Sequence, residues 1–407
     1  MISVYTPSHD PRWLNDCYDS LVSQTYQTWE WVVVLNNGAE WIPPQVDGRV
    51  KVFYSDSSNI GALKAEAIDF CTGDIFVELD HDDMLLPDAL KSIEIALSEP
   101  GCGFAYSNFA QINEDGSPNY DEFSPAFGWK YTTDEQGFNV CNTMPPYPAN
   151  VAYIWYAPNH VRSFTREAYE ASGGYNRNMA VLDDQALMAN LYMVTKFVHI
   201  PKNLYLQRIH DKNTQKDSET NAFIQTETVS IYHEIIQPMM MKWSDDLGLM
   251  KLDLGGAHNP APGYTTVDLH DADINGDIID VLRSMPDNSV GVIRSVDFFE
   301  HIADKITLWN EMYRVLHHGG MILSLTPSTD GRGAFQDPTH ISFYNENSFW
   351  YFTQEDTMRY VPELNVNFQV SYMATLFPSD WHQKNNICYV NANLIAVKGG
   401  RDFGGLK

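Results

Sequence analysis

No stretch of this chain stays apolar for the roughly 18 residues that a membrane-spanning helix needs, so no transmembrane segment is expected. A cysteine framework is missing as well. Five cysteines (Cys17, Cys71, Cys102, Cys141 and Cys388) are scattered over 407 residues without a Cys-x-x-Cys pair. Such a set reads as the reduced thiols of a cytoplasmic protein. Positive charge is scarce: 26 Lys and Arg stand against 53 Asp and Glu, a formal charge of -27. That balance argues against nucleic acid, whose phosphates are held by basic patches, and against charge-driven docking on anionic lipid. The excess acid serves first to keep the chain soluble. There is no internal repeat and no low-complexity tract. Ile2-Ser3-Val4-Tyr5 already reads as a strand, so no leader peptide is expected ahead of the fold.

What is present is a length that exceeds one ordinary core, which predicts two domains. The first 100 residues alternate strand and helix signals. Apolar runs at Ser3–Tyr5, Trp29–Leu35, Val50–Tyr54 and Ile75–Leu79 are separated by helical spacing at Trp13–Val22 and Ile60–Phe70. Near-continuous apolar strands alternating with helices predict a parallel sheet covered on both faces. From Gly101 to Asn159 the pattern turns irregular and aromatic. Trp129, Tyr131, Tyr147, Tyr153, Trp155 and Tyr156 suit either a sugar-stacking surface or the core of a small sheet extension, and the core reading is preferred for any single one. Helical spacing returns over Ser218–Trp243, and a second strand–helix alternation begins at Leu249. The expected domains are therefore 1–243 and 249–400.

The most informative segment is Ile75-Phe76-Val77-Glu78-Leu79-Asp80-His81-Asp82-Asp83, an apolar strand that ends in acids and a histidine. Carboxylates at the C-terminal end of a strand lie where open α/β sheets bind ligands. Asp80 and Asp82 can share a divalent cation such as Mg²⁺ or Mn²⁺, with phosphate oxygens completing the shell. Capping of the following helix is the competing explanation, and Asp83 is assigned to it.

Several separate segments together resemble the family-2 glycosyltransferases of the GT-A fold. They are Val4-Tyr-Thr-Pro-Ser8, Gln24 through Val34, Asn59-Ile-Gly61 through Ala67, Thr72-Gly-Asp74 into Asp80-His-Asp82-Asp83, and Gly173-Gly-Tyr175 followed by Leu182-Asp183-Asp184. The resemblance covers about residues 1–215. It implies an inverting transfer from a nucleotide sugar to a glycan acceptor, with Mn²⁺ or Mg²⁺ neutralising the leaving diphosphate. Asp82 would be the main metal ligand, with Asp80 on the ribose or the metal and His210 completing the shell. Asp184 would be the catalytic base and Asp183 its support, although helix N-capping describes that pair equally well locally. Pro7, Ser8, Asn36, Asn37 and Asp56 would face the nucleotide, and Lys64, Arg208 and Lys212 are candidates for the diphosphate. Asn36-Asn37-Gly38 departs from the family's Asp-Asp-Gly, so a UDP-sugar is the donor by family frequency only.

The later segments resemble class I S-adenosylmethionine-dependent methyltransferases over about residues 249–355. Leu252-Asp253-Leu254-Gly255-Gly256-Ala257 stands at the glycine turn, Asp268 ends the next strand, and Asp277 lies on the adenine side. The resemblance implies that Asp253, Gly255, Gly256, Asp268 and Asp277 hold S-adenosylmethionine. Glu300-His301 suits either a satisfied helix start or a catalytic role. Asp337 and His340 lie in a Gly/Pro-rich loop, and with His301 they form a candidate methyl-acceptor site. The expected protein is thus α/β throughout: an N-terminal GT-A fold and a C-terminal Rossmann-like methyltransferase fold. Other readings stay open: a methyltransferase with a merely glycan-binding first half, a transferase with an inactive second module, or a carbohydrate-binding scaffold.

Overall fold

Seven buried residues, Ile2–Ser8, form β1, the strand around which the first sheet is arranged. The computed structural model describes residues 1–211, 213 and 218–405. It divides into two compact units, Met1–Ile235 and Ile236–Lys407. In the first unit β1 is followed by β2 (Trp29–Leu35), β3 (Val50–Tyr54), β4 (Ile75–Glu78), β5 (Met84–Leu85) and β6 (Cys102–Ile112). The remaining strands are β7 (Lys130–Thr133), β8 (Asn139–Asn142), β9 (Ser163–Thr165) and β10 (Lys196–Arg208). The main path runs β3-β2-β1-β4-β9-β6-β10-β5, and the β7–β8 hairpin attaches to β6 through β8.

The expected parallel sheet holds for β3, β2, β1 and β4. Beyond β4 it does not, because β9 inserts antiparallel to both β4 and β6, and β5 pairs antiparallel to β10. A three-residue strand arriving from far along the chain carries no readable periodicity. The stretch from Gly101, read as irregular, opens instead with the eleven-residue β6. Its burial is nearly continuous although it carries Gly103, Ser107, Asn108 and Gln111, so neither alternation nor an apolar run marks it. The preferred core reading fits Trp129, Tyr153 and Tyr156, all buried, and Tyr153 stacks on Tyr232 at 4.3 Å. Asp83 is not a helix cap. The next helix, Ala89–Leu97, begins after Asp88, and the buried Asp83 carboxylate accepts the Arg208 N–H at 2.7 Å, joining β5 to β10.

The second unit contains β11 (Met250–Leu254), β12 (Thr265–Asp268), β13 (Ile274–Asn275), β14 (Val290–Val296), β15 (Leu316–Pro327), β16 (Phe368–Leu376) and β17 (Tyr389–Ala396). Their order is β13-β12-β11-β14-β15-β17-β16. The first five are parallel, and an antiparallel β17–β16 pair closes the sheet. This is the doubly wound 3-2-1-4-5 arrangement with an antiparallel edge. Trp309, on helix Lys305–Val315, stacks on Phe352 at 3.9 Å within the core. Helix Ser218–Asp246 accommodates Pro238 in its interior. Among the described residues no helix is long and apolar enough to cross a membrane.

Two features of the first unit generate tests. A Cβ on Gly61 would meet the backbone oxygen of Asn176 at 2.3 Å, while the Gly61 N–H donates to the Met179 carbonyl at 3.1 Å. Backbone cannot yield as a side chain can, so Gly61→Ala should cost about 1–3 kcal/mol and lower the thermal midpoint by several degrees. An unchanged midpoint would contradict that packing. Glu30, on β2, accepts from the Ser3 hydroxyl at 2.6 Å and pairs with Lys51 at 2.5 Å. Burial pushes its carboxyl up, but Lys51, Ser3 and Thr72 outweigh this and hold it at about 2. Because the folded value lies below the ordinary 4.5, this stabilisation is complete above that pH and is lost as pH falls towards 2. Glu30→Gln should therefore melt below wild type at pH 7, with the gap narrowing at pH 3.

Candidate active site

The parallel strands of the first unit deliver their C-terminal ends to one edge, where doubly wound sheets bind ligands. Pro7 and Ser8 end β1, Asn36 and Asn37 follow β2, Asp56 follows β3, and Asp80 and Asp82 follow β4. Asn36 is buried and donates to the Ser57 carbonyl at 3.1 Å; Asn37, with φ of 53°, and Asp56 are exposed. Across from the acids, His210 Nε2 lies 2.8 Å from Asp82 Oδ2, with its ring against Trp13 at 4.7 Å. Asp80 is raised to about 7 by burial and then by Glu78. Ligand atoms of Asp80, Asp83 and His160 lie within 4.8 Å of one another. Carboxylates with an imidazole suit Mn²⁺ or Mg²⁺ at this edge, since a cation would relieve the repulsion among the acids.

Two of the cations read as diphosphate candidates are already engaged. Arg208 is 1% exposed; it pairs with Asp16 at 2.7 Å and donates to the carbonyls of Asp82 and Glu114. Lys64 is buried between Glu78 at 2.7 Å and Asp183 at 2.9 Å. Lys212 lies outside the described residues.

Lys64 belongs to a buried network centred on Glu78, which sits two residues before Asp80. Glu78 also accepts from the Tyr175 hydroxyl at 3.2 Å and lies 3.5 Å from Arg162 Nε, and Arg162 pairs with Asp184 at 2.5 Å. Lys64 thereby ties β4 to Asp183, and Arg162 ties it to Asp184, in the first turn of helix Asp183–Val194. Burial alone would raise Asp184, but Arg162 and then Lys64 hold it down at about 2. Asp183 goes the other way, raised by burial. The acidic strand end and the distant Asp183-Asp184 pair are thus joined through one buried carboxylate. Sequence reasoning quoted Glu78 without a role and missed Arg162 and His160. For Arg162 no cue existed, because the three-residue strand Ser163–Thr165 that follows it carries no readable period.

In the second unit the glycine turn follows β11. Gly255 has φ of +73°, and a Cβ there would meet the Phe298 ring at 2.5 Å. Asp268, at the end of β12, accepts the Ala257 N–H at 3.3 Å, so its carboxylate lies beside the turn. That arrangement fits a ribose-bearing cofactor, with Asp268 as acceptor for sugar hydroxyls. Asp253 and Asp277 are otherwise occupied. Asp253 is fully buried and holds Arg294 with both oxygens, at 2.7 and 2.9 Å, while Asp277 caps helix Ile278–Ser284. Beyond β14 and β15, His301, Asp337 and His340 do come together. The imidazole rings lie 5.0 Å apart, and Asp337 binds Thr339, which touches His301 Nδ1 at 3.2 Å. Glu300 joins them, raised to about 8 chiefly by burial.

Known proteins resemble both units. Residues 3–150 match the model of glycosyl transferase family 2, and residues 257–324 match a methyltransferase domain model. A chondroitin synthase of Pasteurella multocida (strain Pm70) is 26% identical over 228 residues, which are 53% of this chain and 21% of that protein. A hyaluronan synthase of Pasteurella multocida matches to the same extent. A putative teichuronic acid biosynthesis glycosyltransferase of Bacillus subtilis (strain 168), TuaG, is 27% identical over 126 residues, 29% of this chain and 50% of that one. The matched region spans only about a fifth of the length of the two Pasteurella synthases. The acidic strand edge of the first sheet thus lies in a stretch that matches glycosyl transferase family 2, and the doubly wound second sheet in one that matches a methyltransferase domain.

Proposed function

We propose that the chain is a bifunctional sugar-modifying enzyme, with residues 1–243 transferring a sugar from a nucleotide-sugar donor to a glycan hydroxyl and residues 249–400 methylating a sugar hydroxyl. The observation that carries the first half is the Glu78 network, which fixes Asp184 in ionised form in the same unit as the Asp80–Asp82 strand end. The donor is a UDP-sugar by family habit, since Asn36 and Asn37 present amides where the family usually has carboxylates. The relatives' names, all of polysaccharide synthesis, support a glycan acceptor. The five free cysteines suit a cytoplasmic setting.

In this reaction the acceptor oxygen attacks the anomeric carbon as the bond to the nucleoside diphosphate breaks, and a single displacement inverts that carbon. Asp184 takes the acceptor proton. A carboxylate held at about 2 is a weak base towards a free hydroxyl. The transfer becomes downhill only as the new C–O bond forms and the attacking oxygen turns acidic. Arg162 and Lys64 keep Asp184 and Asp183 in place. Asp82, His210 and Asp80 would hold Mn²⁺ or Mg²⁺, which supplies positive charge for the departing diphosphate. In the second unit, Asp268 and the backbone of the Gly255–Gly256 turn would hold S-adenosylmethionine, and His301, Asp337 and His340 would face the accepting hydroxyl.

A panel of nucleotide sugars assayed for hydrolysis and transfer, with and without added Mn²⁺, identifies the donor. Asp82→Ala and Asp184→Asn should each reduce transfer at least ~100-fold with unchanged circular dichroism, and undiminished transfer by both would sink the site assignment. For the second unit, calorimetry should detect S-adenosylmethionine binding to wild type and binding at least ~10-fold weaker to Asp268→Ala. No heat at millimolar cofactor would leave this unit as a non-catalytic module.

A further inference from the structure

Glu300, His301 and His340 converge at the C-terminal edge of β14 and β15, the edge that also carries the Gly255–Gly256 turn. Glu300 is 2% exposed, and neither of its carboxylate oxygens hydrogen-bonds to another described residue. A buried carboxylate without a donor is a costly arrangement unless something positive completes it. The neighbouring histidines do not supply a donor. His340 Nδ1 lies 2.9 Å from the Ala334 carbonyl, which can only accept, so Nδ1 donates, and in the neutral ring Nε2 carries the lone pair. That Nε2 is 3.9 Å from Glu300 Oε1, too far for a hydrogen bond. His301 Nδ1 faces the Thr339 carbonyl at 3.3 Å and the Thr339 hydroxyl oxygen at 3.2 Å; that hydroxyl donates its proton to Asp337, so both accept from Nδ1, and in the neutral ring Nε2 carries a second lone pair.

One ligand atom from each of the three residues lies within 4.8 Å of the others. With both imidazoles neutral and Glu300 ionised, the form a metal ion would bind, three acceptors face one another with no donor between them. Two ligand bonds of about 2.0–2.2 Å to one ion span up to roughly 4 Å, which matches the His340–Glu300 separation. The supports are those that metal-bound histidines use, with each second ring nitrogen held by a backbone carbonyl. The chain around them is fixed as well, because the N–H groups of Ile341 and Ser342 both donate to the Glu300 carbonyl at 2.9 Å.

We propose that Glu300, His301 and His340 bind one divalent first-row transition-metal ion in the second unit. Two imidazoles and one carboxylate favour Zn²⁺, Mn²⁺, Fe²⁺ or Co²⁺ over Mg²⁺ or Ca²⁺. His301 is only partly buried, so its side of the site leaves coordination positions open to water or a substrate oxygen. Binding of the ion requires neither S-adenosylmethionine nor sugar, so the proposal stands apart from the methylation reading.

The test uses the full chain stripped with a chelator, equilibrated with Zn²⁺ or Co²⁺, desalted, and measured for metal content. Asp82→Ala removes the contribution of the first unit. Against that background, Glu300→Gln and His340→Ala should each lose one further equivalent. The Co²⁺ visible band of Asp82→Ala should vanish when His301→Ala is added. Glu300→Gln also keeps the test sound if a histidine variant misfolds. Metal-free, it should melt no lower than wild type because it replaces a buried carboxyl group that has no hydrogen-bonding neighbour, while Zn²⁺ should raise the midpoint of wild type and not of Glu300→Gln. The proposal is overturned if Asp82→Ala retains no Zn²⁺, or if Glu300→Gln and His340→Ala retain as much as their background.

Discussion

Glu78 closes a central strand with its carboxylate in the interior, and the geometry of the first unit depends on how that charge is neutralised. Lys64 comes from the helix after β3 and Arg162 from the segment before β9, and each carries its free side on to an aspartate of helix Asp183–Val194. Three acids and two bases share one largely buried network, with the Tyr5 and Tyr175 hydroxyls completing it. Removing any one member would strand its partner's charge at a cost of about 3–5 kcal/mol. That penalty ties the strand end carrying Asp80 and Asp82 to the first turn carrying Asp184.

The same logic explains how neighbouring carboxylates behave differently. Asp184 faces Arg162 and is held at about 2, whereas Asp80, buried near Glu78, rises to about 7. One is ionised at neutral pH, and the other gains from a cation. The residue type is identical; the nearest charge decides.

The second unit uses its sheet edge in a comparable way but spends its charges locally. Asp253 fixes Arg294 and Asp277 caps a helix, whereas Asp268, beside the glycine turn, accepts only from the N–H groups of Ala257 and Leu269 among the described residues. Glu300 is the exception. It is buried without a hydrogen-bonding neighbour, with two histidines around it whose outer nitrogens are fixed by carbonyls.

Much of this was legible in the chain itself. Continuous apolar runs gave β1, β2 and β4, because strands buried on both faces need nothing else, and motif order gave both domain types. The acidic strand end could be read because its residues are contiguous. What escaped were elements whose burial leaves no period: β6, with its polar residues turned inward, and the three-residue β9. Asp83 looked like a helix cap from its position, yet it serves Arg208, more than a hundred residues later in the chain. Sequence alone determined which side chains end each strand, since register and polarity are local. Only the tertiary structure decided which charges meet. Lys64, Glu78, Arg162 and Asp184, like Glu300 and His340, are distant in sequence, and a pairing made by chain crossing in a low-dielectric interior leaves no trace in local spacing.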